Sequence, residues 1–235
     1  PRTTTHQPPP HRRHLDDPTA GRGMIEQLVP TGAVAVEAFD DTDTEPLHPE
    51  EAALVARAVE KRRREFTTAR TCAHRALRAL GQPPAPVLTG DRGAPVWPAG
   101  VVGSLTHCDG YRAAVVARRD DVETIGIDAE PDAPLPDGVL DAIALPDERA
   151  MVRRLTADAP GPHWDRLLFS AKEALYKAWF PVTGVFLGFD EARITLHPAD
   201  RTFTARVLVP GRGRDFGGCY LHDAGLTLAV VAVPN

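Results

Sequence analysis

The sequence predicts an α+β protein built as two lobes of comparable size. Strand-like and helical runs occur in similar proportion on either side of Arg118-Arg119-Asp120-Asp121, a cluster of charge suited to a seam. Asp109-Gly110, set between two apolar runs, is a hairpin signal. At 235 residues, 43% hydrophobic and 25% charged, the chain can bury one large core or two small ones. The expected division is a tail over residues 1–23, an N-terminal lobe over 24–119 and a C-terminal lobe over 120–235.

Residues 1–23 are rich in Pro, Thr and charge, with almost nothing apolar to offset the entropy of ordering. They read as a flexible tail in which His11 and His14 are solvated. Residues 31–40 carry Val34 and Val36 at period two, a strand pattern. His48-Pro49-Glu50-Glu51 puts Pro in a first turn and acids at the positive end of a helix dipole, opening a helix to about residue 64; a second is expected over 68–80, stopped by Gly81. Residues 81–100 hold five prolines and the turn Gly90-Asp91-Arg92-Gly93, so they form a loop. Strands follow over 101–106 and 111–118, then over 123–130. A helix over 138–156 should break near Pro146, and one over 163–180 should stop at Pro181. Three strand-like runs close the chain, over 192–196, 202–209 and 226–233. No repeat is visible in the sequence.

The net charge of -5 argues against a general nucleic-acid binder, although residues 61–64 form a local basic run. Three cysteines, Cys72, Cys108 and Cys219, give neither a disulfide framework nor a C-x-x-C knuckle, which fits a reducing compartment. No apolar run approaches the roughly 18 residues needed to span a bilayer. A cytoplasmic monomer is expected, with no partner of nucleic acid or membrane. Only two serines are present, Ser104 and Ser170, and neither lies in G-x-S-x-G; a Walker loop is also missing.

Two stretches carry the chemistry. In an extended strand, Thr124, Gly126, Asp128 and Glu130 share one face, while Ile125 and Ile127 point to the core. Carboxylates so close repel unless a cation or water separates them, and hard oxygen donors suit Mg2+; a solvated strand end is the plainer alternative. On the following helix, Trp164, Leu167, Leu168, Ala171, Leu175, Ala178 and Trp179 form one apolar stripe. Glu173 lies nearly opposite it, with Lys177 one turn on. Of 27 basic residues only Lys61, Lys172 and Lys177 are Lys, and two of those flank Glu173. A compact ammonium is wanted there rather than a planar fork. Taken alone, Glu173 and Lys177 are equally an exposed i, i+4 pair. Acids for a metal, together with the basic cluster over 61–70 and the turn over 90–95, describe a site for a phosphate-rich ligand.

These residues resemble the 4'-phosphopantetheinyl transferases, the large two-lobed kind. The resemblance rests on GIDAE (126–130), FSAKEALYKAW (169–179) and SLTHCDGYRAAVV (104–116), with REFTTARTCA (64–73) and GDRGAPVWP (90–98), in the family's order. It implies a pseudo-symmetric two-lobed α+β fold, each lobe a small, mainly antiparallel sheet packed on helices. It also implies transfer of the phosphopantetheine arm of coenzyme A to a serine of acyl or peptidyl carrier protein domains, with Mg2+ or Mn2+ and release of 3',5'-ADP. The implied metal residues are Asp128, Ala129, Glu130 and Glu173. Glu173, Lys172 and Lys177 are the implied catalytic groups. Coenzyme A would contact Arg62, Arg70, Arg92, Gly93, Ala94, Pro95, Thr106, His107, Asp128, Glu173, Lys177 and Leu187. The sequence departs from the family pattern at Arg92, where Lys is frequent, and at Gly184-Val185-Phe186-Leu187, where K-x-W-L is frequent. Two other readings stay open: a non-catalytic carrier-binding module, and a different Mg2+-dependent phosphoryl or nucleotidyl transferase that consumes a nucleoside triphosphate.

Overall fold

The computed structural model describes residues 23–158 and 161–235. The expected tail, with His11 and His14, lies outside the described residues except for Gly23. Within them the chain is α+β, with small antiparallel sheets packed on helices.

The first sheet has the order β1-β5-β4, formed by β1 (Val34–Ala38), β4 (Val101–Cys108) and β5 (Tyr111–Arg118). β4 and β5 join at Asp109-Gly110, with Cys108 opposite Tyr111 and Gly110 at φ 75°; this is the two-residue hairpin that Asp-Gly favours. Between β1 and β4 come α1 (Pro49–Leu54), α2 (Glu60–Ala79) and a small ribbon of β2 (Leu88–Thr89) and β3 (Pro95–Val96). The second sheet has the order β6-β10-β9-β8-β7, from β6 (Val122–Pro131), β7 (Ala192–His197), β8 (Thr202–Val207), β9 (Asp215–Asp223) and β10 (Leu226–Pro234). α3 (Val139–Ile143), α4 (Pro146–Asp158) and α5 (Trp164–Thr183) separate β6 from β7. Each sheet pairs its first strand with its last, and the last with the strand before it.

Alternation along the strands sorts the core. Ala114 and Val116 face α2, whereas Tyr111, Ala113, Val115 and Ala117 pack against Ile125, Ile127 and Leu228 of the second sheet. On β10, Ala229 and Val231 face α5. α2 and α5 thus cover outer faces, and a shared apolar layer lies between the sheets. At one side β4 runs beside β6 without a backbone ladder; instead Ser104 Oγ accepts from the Ile127 N–H at 3.1 Å and Thr106 Oγ1 from the Ala129 N–H at 3.0 Å. Two hydroxyls do the work of a strand pairing.

Four elements differ from the sequence reading. The expected helix over 48–64 stops at Leu54 and restarts at Glu60, because residues 55–58 turn tightly, Val55 inward and Val59 outward. α2 then runs unbroken through 65–67, where β-branched threonines are accommodated by hydroxyl bonds to the carbonyls one turn back, Thr67 to Arg63 and Thr71 to Thr67. α5 passes Pro181 and ends at Gly184, φ 64°; a proline in the last turn removes a single bond, and the Gly184 N–H closes the end on Phe180 O at 2.8 Å. β9 was not expected at all: Gly217-Gly218 interrupts its pattern, and Gly218 is required because a Cβ there would meet the Phe203 ring at 2.1 Å. The break at Pro146 and the seven strands expected from the sequence are present, with ends displaced by a few residues.

Candidate active site

The site begins at Gly126. A Cβ there would lie 2.0 Å from Ala174 O and 2.5 Å from Ala178 N, so only glycine lets the α5 backbone rest on β6. Thr124 Oγ1, two residues earlier on the same face, donates to Ala178 O at 2.6 Å and fixes the helix along the strand. Asp128 follows on that face, and Lys177 reaches it: Nζ donates to Ile127 O at 3.0 Å and to Asp128 Oδ1 at 2.8 Å. Glu173, one turn before Lys177, is half-buried at the same place. Burial raises its carboxyl above the usual value, and the Asp128 charge adds to the rise against the pull of Lys177.

The carboxylates have unfinished contacts. Asp128 is 5% exposed, and its Oδ2 is buried without a hydrogen-bond partner. Glu130 is tied to Arg166 at 3.0 Å, and its carboxyl is still raised, first by burial and then by Asp128. Three acids gathered around a buried oxygen with nothing to accept from, two of them raised by the Asp128 charge as well as by burial, fit a divalent cation with hard-ligand preference. Asp128, Glu130 and Glu173 are the side chains that could hold it, with Ala129 contributing its main chain only, since its side chain is in the core.

Beside them opens a cleft of about 360 Å³, floored by Gly103, Ser104 and Leu105 of β4 and walled by α2 and α5. Glu173 and Lys177 line one wall. The opposite side holds Arg62, Arg70 and His107, and one end holds Arg92, Gly93, Ala94 and Pro95. His107 Nε2 lies 2.8 Å from Arg62 Nη1. Loss of surrounding water, then the Arg62 charge, keeps its imidazole below the ordinary value, so the free ring is mostly neutral at neutral pH. Arg70 is buried, stacks on Phe66 at 4.3 Å and donates to Thr89 Oγ1 at 3.3 Å. Burial lowers its guanidinium to about 10, with Glu51 opposing the fall. Arg92 holds a left-handed conformation, φ 53°, and places its guanidinium 4.9 Å above the Phe186 ring.

Three expected site residues sit elsewhere. Thr106 is buried beneath the cleft, where it caps the Ala129 N–H and approaches Asp128 Oδ1 at 3.5 Å. Lys172 turns away from the cleft: its ammonium pairs with Glu148 at 2.8 Å and donates to Phe189 O and Ala192 O, at 3% exposure. Its place on the Leu168, Leu175, Trp179 side of the helix explains this. Leu187 lines a separate recess of about 100 Å³, with Lys172, Phe189 and Ala192; Glu173 and Tyr176 border both spaces. Sequence reasoning missed Arg166, Phe66 and Tyr176. Arg166 was accessible, since it lies seven residues before Glu173 and therefore on the same helix face.

The chain is similar to known proteins along most of its length. The family described as 4'-phosphopantetheinyl transferase N-terminal domain matches residues 50–117, and the 4'-phosphopantetheinyl transferase superfamily matches residues 124–230. The chain is 54% identical over 219 residues to 4'-phosphopantetheinyl transferase Svp of Streptomyces mobaraensis, covering 89% of each. It is 49% identical to 4'-phosphopantetheinyl transferase Npt of Nocardia iowensis, over 89% of this chain and 99% of the relative. To 4'-phosphopantetheinyl transferase PptT of Mycobacterium tuberculosis it is 60% identical, over 69% and 73% respectively.

Proposed function

Because the chain belongs to the 4'-phosphopantetheinyl transferase family, whose members move the phosphopantetheine arm of coenzyme A to carrier proteins with a divalent metal, we propose a division of labour among its own residues in that reaction. One observation carries it: Glu173 and Lys177 of α5, the latter paired with the buried Asp128 of β6, line one cleft with Arg62 and His107 of α2 and β4. A ligand with phosphates at both ends of a nucleoside fits that distribution of charge.

Arg62, Arg70 and His107 hold the 3'-phosphate end. Binding there returns a proton to the neutral imidazole, which makes His107 a charge-assisted donor. The turn Arg92-Gly93-Ala94-Pro95 contacts the nucleotide, and the pantetheine arm runs toward the recess at Leu187, Tyr176 and Phe189. Asp128, Glu130 and Glu173 would hold Mg2+, which when bound would supply charge stabilisation for the pyrophosphate oxygens. Glu173, which lines the cleft one turn before Lys177, accepts the proton of the carrier serine. The serine oxygen forms a bond to the phosphorus nearest the pantetheine arm. The bond from that phosphorus to the bridging oxygen breaks, and 3',5'-ADP leaves with the electron pair. Lys177 donates to the leaving phosphate, offsetting its new charge. Lys172 has no part in this step; it locks α5 to α4 and β7.

The same reading includes a monomer, acyl and peptidyl carrier domains as acceptors, and lobes over 24–119 and 120–235. The division is supported by the two family matches, which fall on either side of residues 118–123. No helix of the described residues is long and apolar enough to cross a membrane.

Mass spectrometry of an apo carrier protein incubated with this chain, coenzyme A and Mg2+ tests the proposal. The expected result is addition of one phosphopantetheine arm with release of 3',5'-ADP, lost in Asp128→Ala. A carrier that stays unmodified, or turnover of a nucleoside triphosphate instead, would overturn it.

A further inference from the structure

A second cluster of metal-type donors lies one helical turn beyond Arg70. His48 precedes α1, Glu51 is in its first turn and His74 is on α2. One donor atom from each lies within 4.8 Å of the other two. Glu51 is fully buried, an unusual place for a carboxylate, and the only guanidinium near it among the described residues, that of Arg70, stands 3.8 Å away. Its Oε1 is 2.9 Å from His74 Nε2 and accepts from the Val87 N–H at 2.8 Å, while Oε2 accepts from the His48 N–H at 3.0 Å. The two backbone amides fix the carboxylate with Oε1 turned toward the His74 ring. Arg70 does not neutralise it by a hydrogen bond: Nε stands 3.8 Å away and has no acceptor.

We propose that His48, Glu51 and His74 form a second metal site, of the Zn2+ class, distinct from the carboxylate group at Asp128. Two imidazoles and one carboxylate are a donor set that Zn2+ takes, with a fourth position left for water. Two donors bound at about 2.0 Å in a tetrahedral shell stand about 3.3 Å apart. His74 and Glu51 are near that spacing already, and the His48 ring, 5.0 Å from the His74 ring and partly exposed, has the freedom to close in. The backbone amides that hold Glu51 are the supporting bonds such sites show around a ligating carboxylate. There is also a way in, because His48 and His74 line a cavity of about 190 Å³ together with Gln82, Pro83 and Pro84. A metal here ties α1, α2 and the loop leading to Val87 at one point. The hard carboxylates at Asp128 favour Mg2+, so the two sites differ in chemistry as well as place.

The test is Zn2+ binding by competition with a chromophoric chelator, with Co2+ absorption as a report of geometry. In Asp128→Ala, one equivalent of Zn2+ should remain and Co2+ should give the strong visible bands of a four-coordinate site. Adding His48→Ala should lower Zn2+ affinity by about tenfold or more and remove those bands. That change spares the His48 backbone N–H that caps Glu51, and an unchanged melting temperature of the metal-free variant separates loss of the ligand from loss of the fold. Binding that is absent in Asp128→Ala, or unchanged on adding His48→Ala, would overturn the site. Neither result bears on whether the carrier is modified.

Discussion

Glu173 faces opposite demands in folding and in catalysis. Its carboxyl lies above the ordinary value in the folded protein, so folding favours the protonated form. The stability this group contributes is therefore present at acid pH and lost as pH rises through the raised value. Glu173→Gln, permanently neutral, should raise the melting temperature of the metal-free protein at mildly alkaline pH and leave it unchanged at acid pH, by calorimetry in chelator. The same variant should lower turnover by roughly two orders of magnitude or more, as loss of a positioned base does. The neighbouring lysines should separate in the other direction. Lys172→Met leaves Glu148 buried and uncompensated and should cost about 3–5 kcal/mol on denaturant unfolding. Lys177→Met also unpairs a buried carboxylate, Asp128, but at the more open end, its own side chain being 28% exposed, so it should cost less stability than Lys172→Met and cut turnover. The sequence placed both lysines beside Glu173, and helical spacing alone shows that Lys172 shares the core face. Its partner was not legible, because Glu148 lies on another helix.

The decisive element contact is α5 on β6, and one glycine governs it. Gly126→Ala introduces a methyl within 2.0 Å of Ala174 O. The helix must then lift, at about 1–3 kcal/mol or more of stability, and Lys177 loses its reach to Asp128. Activity should fall further than the melting temperature accounts for, and changes of salt or pH should not rescue it. The face-sharing of Gly126, Asp128 and Glu130 was readable from period two, and the α5 stripe from its spacing; both are local rules. Where elements end was less readable. Pro181 is a helix stop by local rules, but the last turn tolerates it; the α1–α2 break depends on where Val55 finds a core; β9 follows from the Phe203 ring above Gly218. Each outcome was set by a neighbour distant in sequence.

At the scale of the molecule, the cleft exists because two sheets meet side by side at β4 and β6. Their strand orders repeat, β1-β5-β4 and β6-β10-β9, although no repeat is visible in the sequence; topology is conserved by pairing, which a one-dimensional pattern does not record. The charge cluster at 118–121 falls on the turn between β5 and β6, but the hydroxyls that close β4 on β6 were not legible in it. Ser104→Ala and Thr106→Ala should each leave a buried N–H unpaired, at about 1–3 kcal/mol, and the double variant should lose coenzyme A affinity through misalignment of His107 with Asp128, measured by calorimetric titration. A seam closed by two side-chain oxygens also behaves unlike a ladder in time. It can part while both sheets stay whole, so the amides of Ile127 and Ala129 should take up deuterium sooner than those of Val230 and Leu228 beside them. A ligand spanning the cleft should slow that uptake, and these two amides would then serve as a clock for the opening of the molecule.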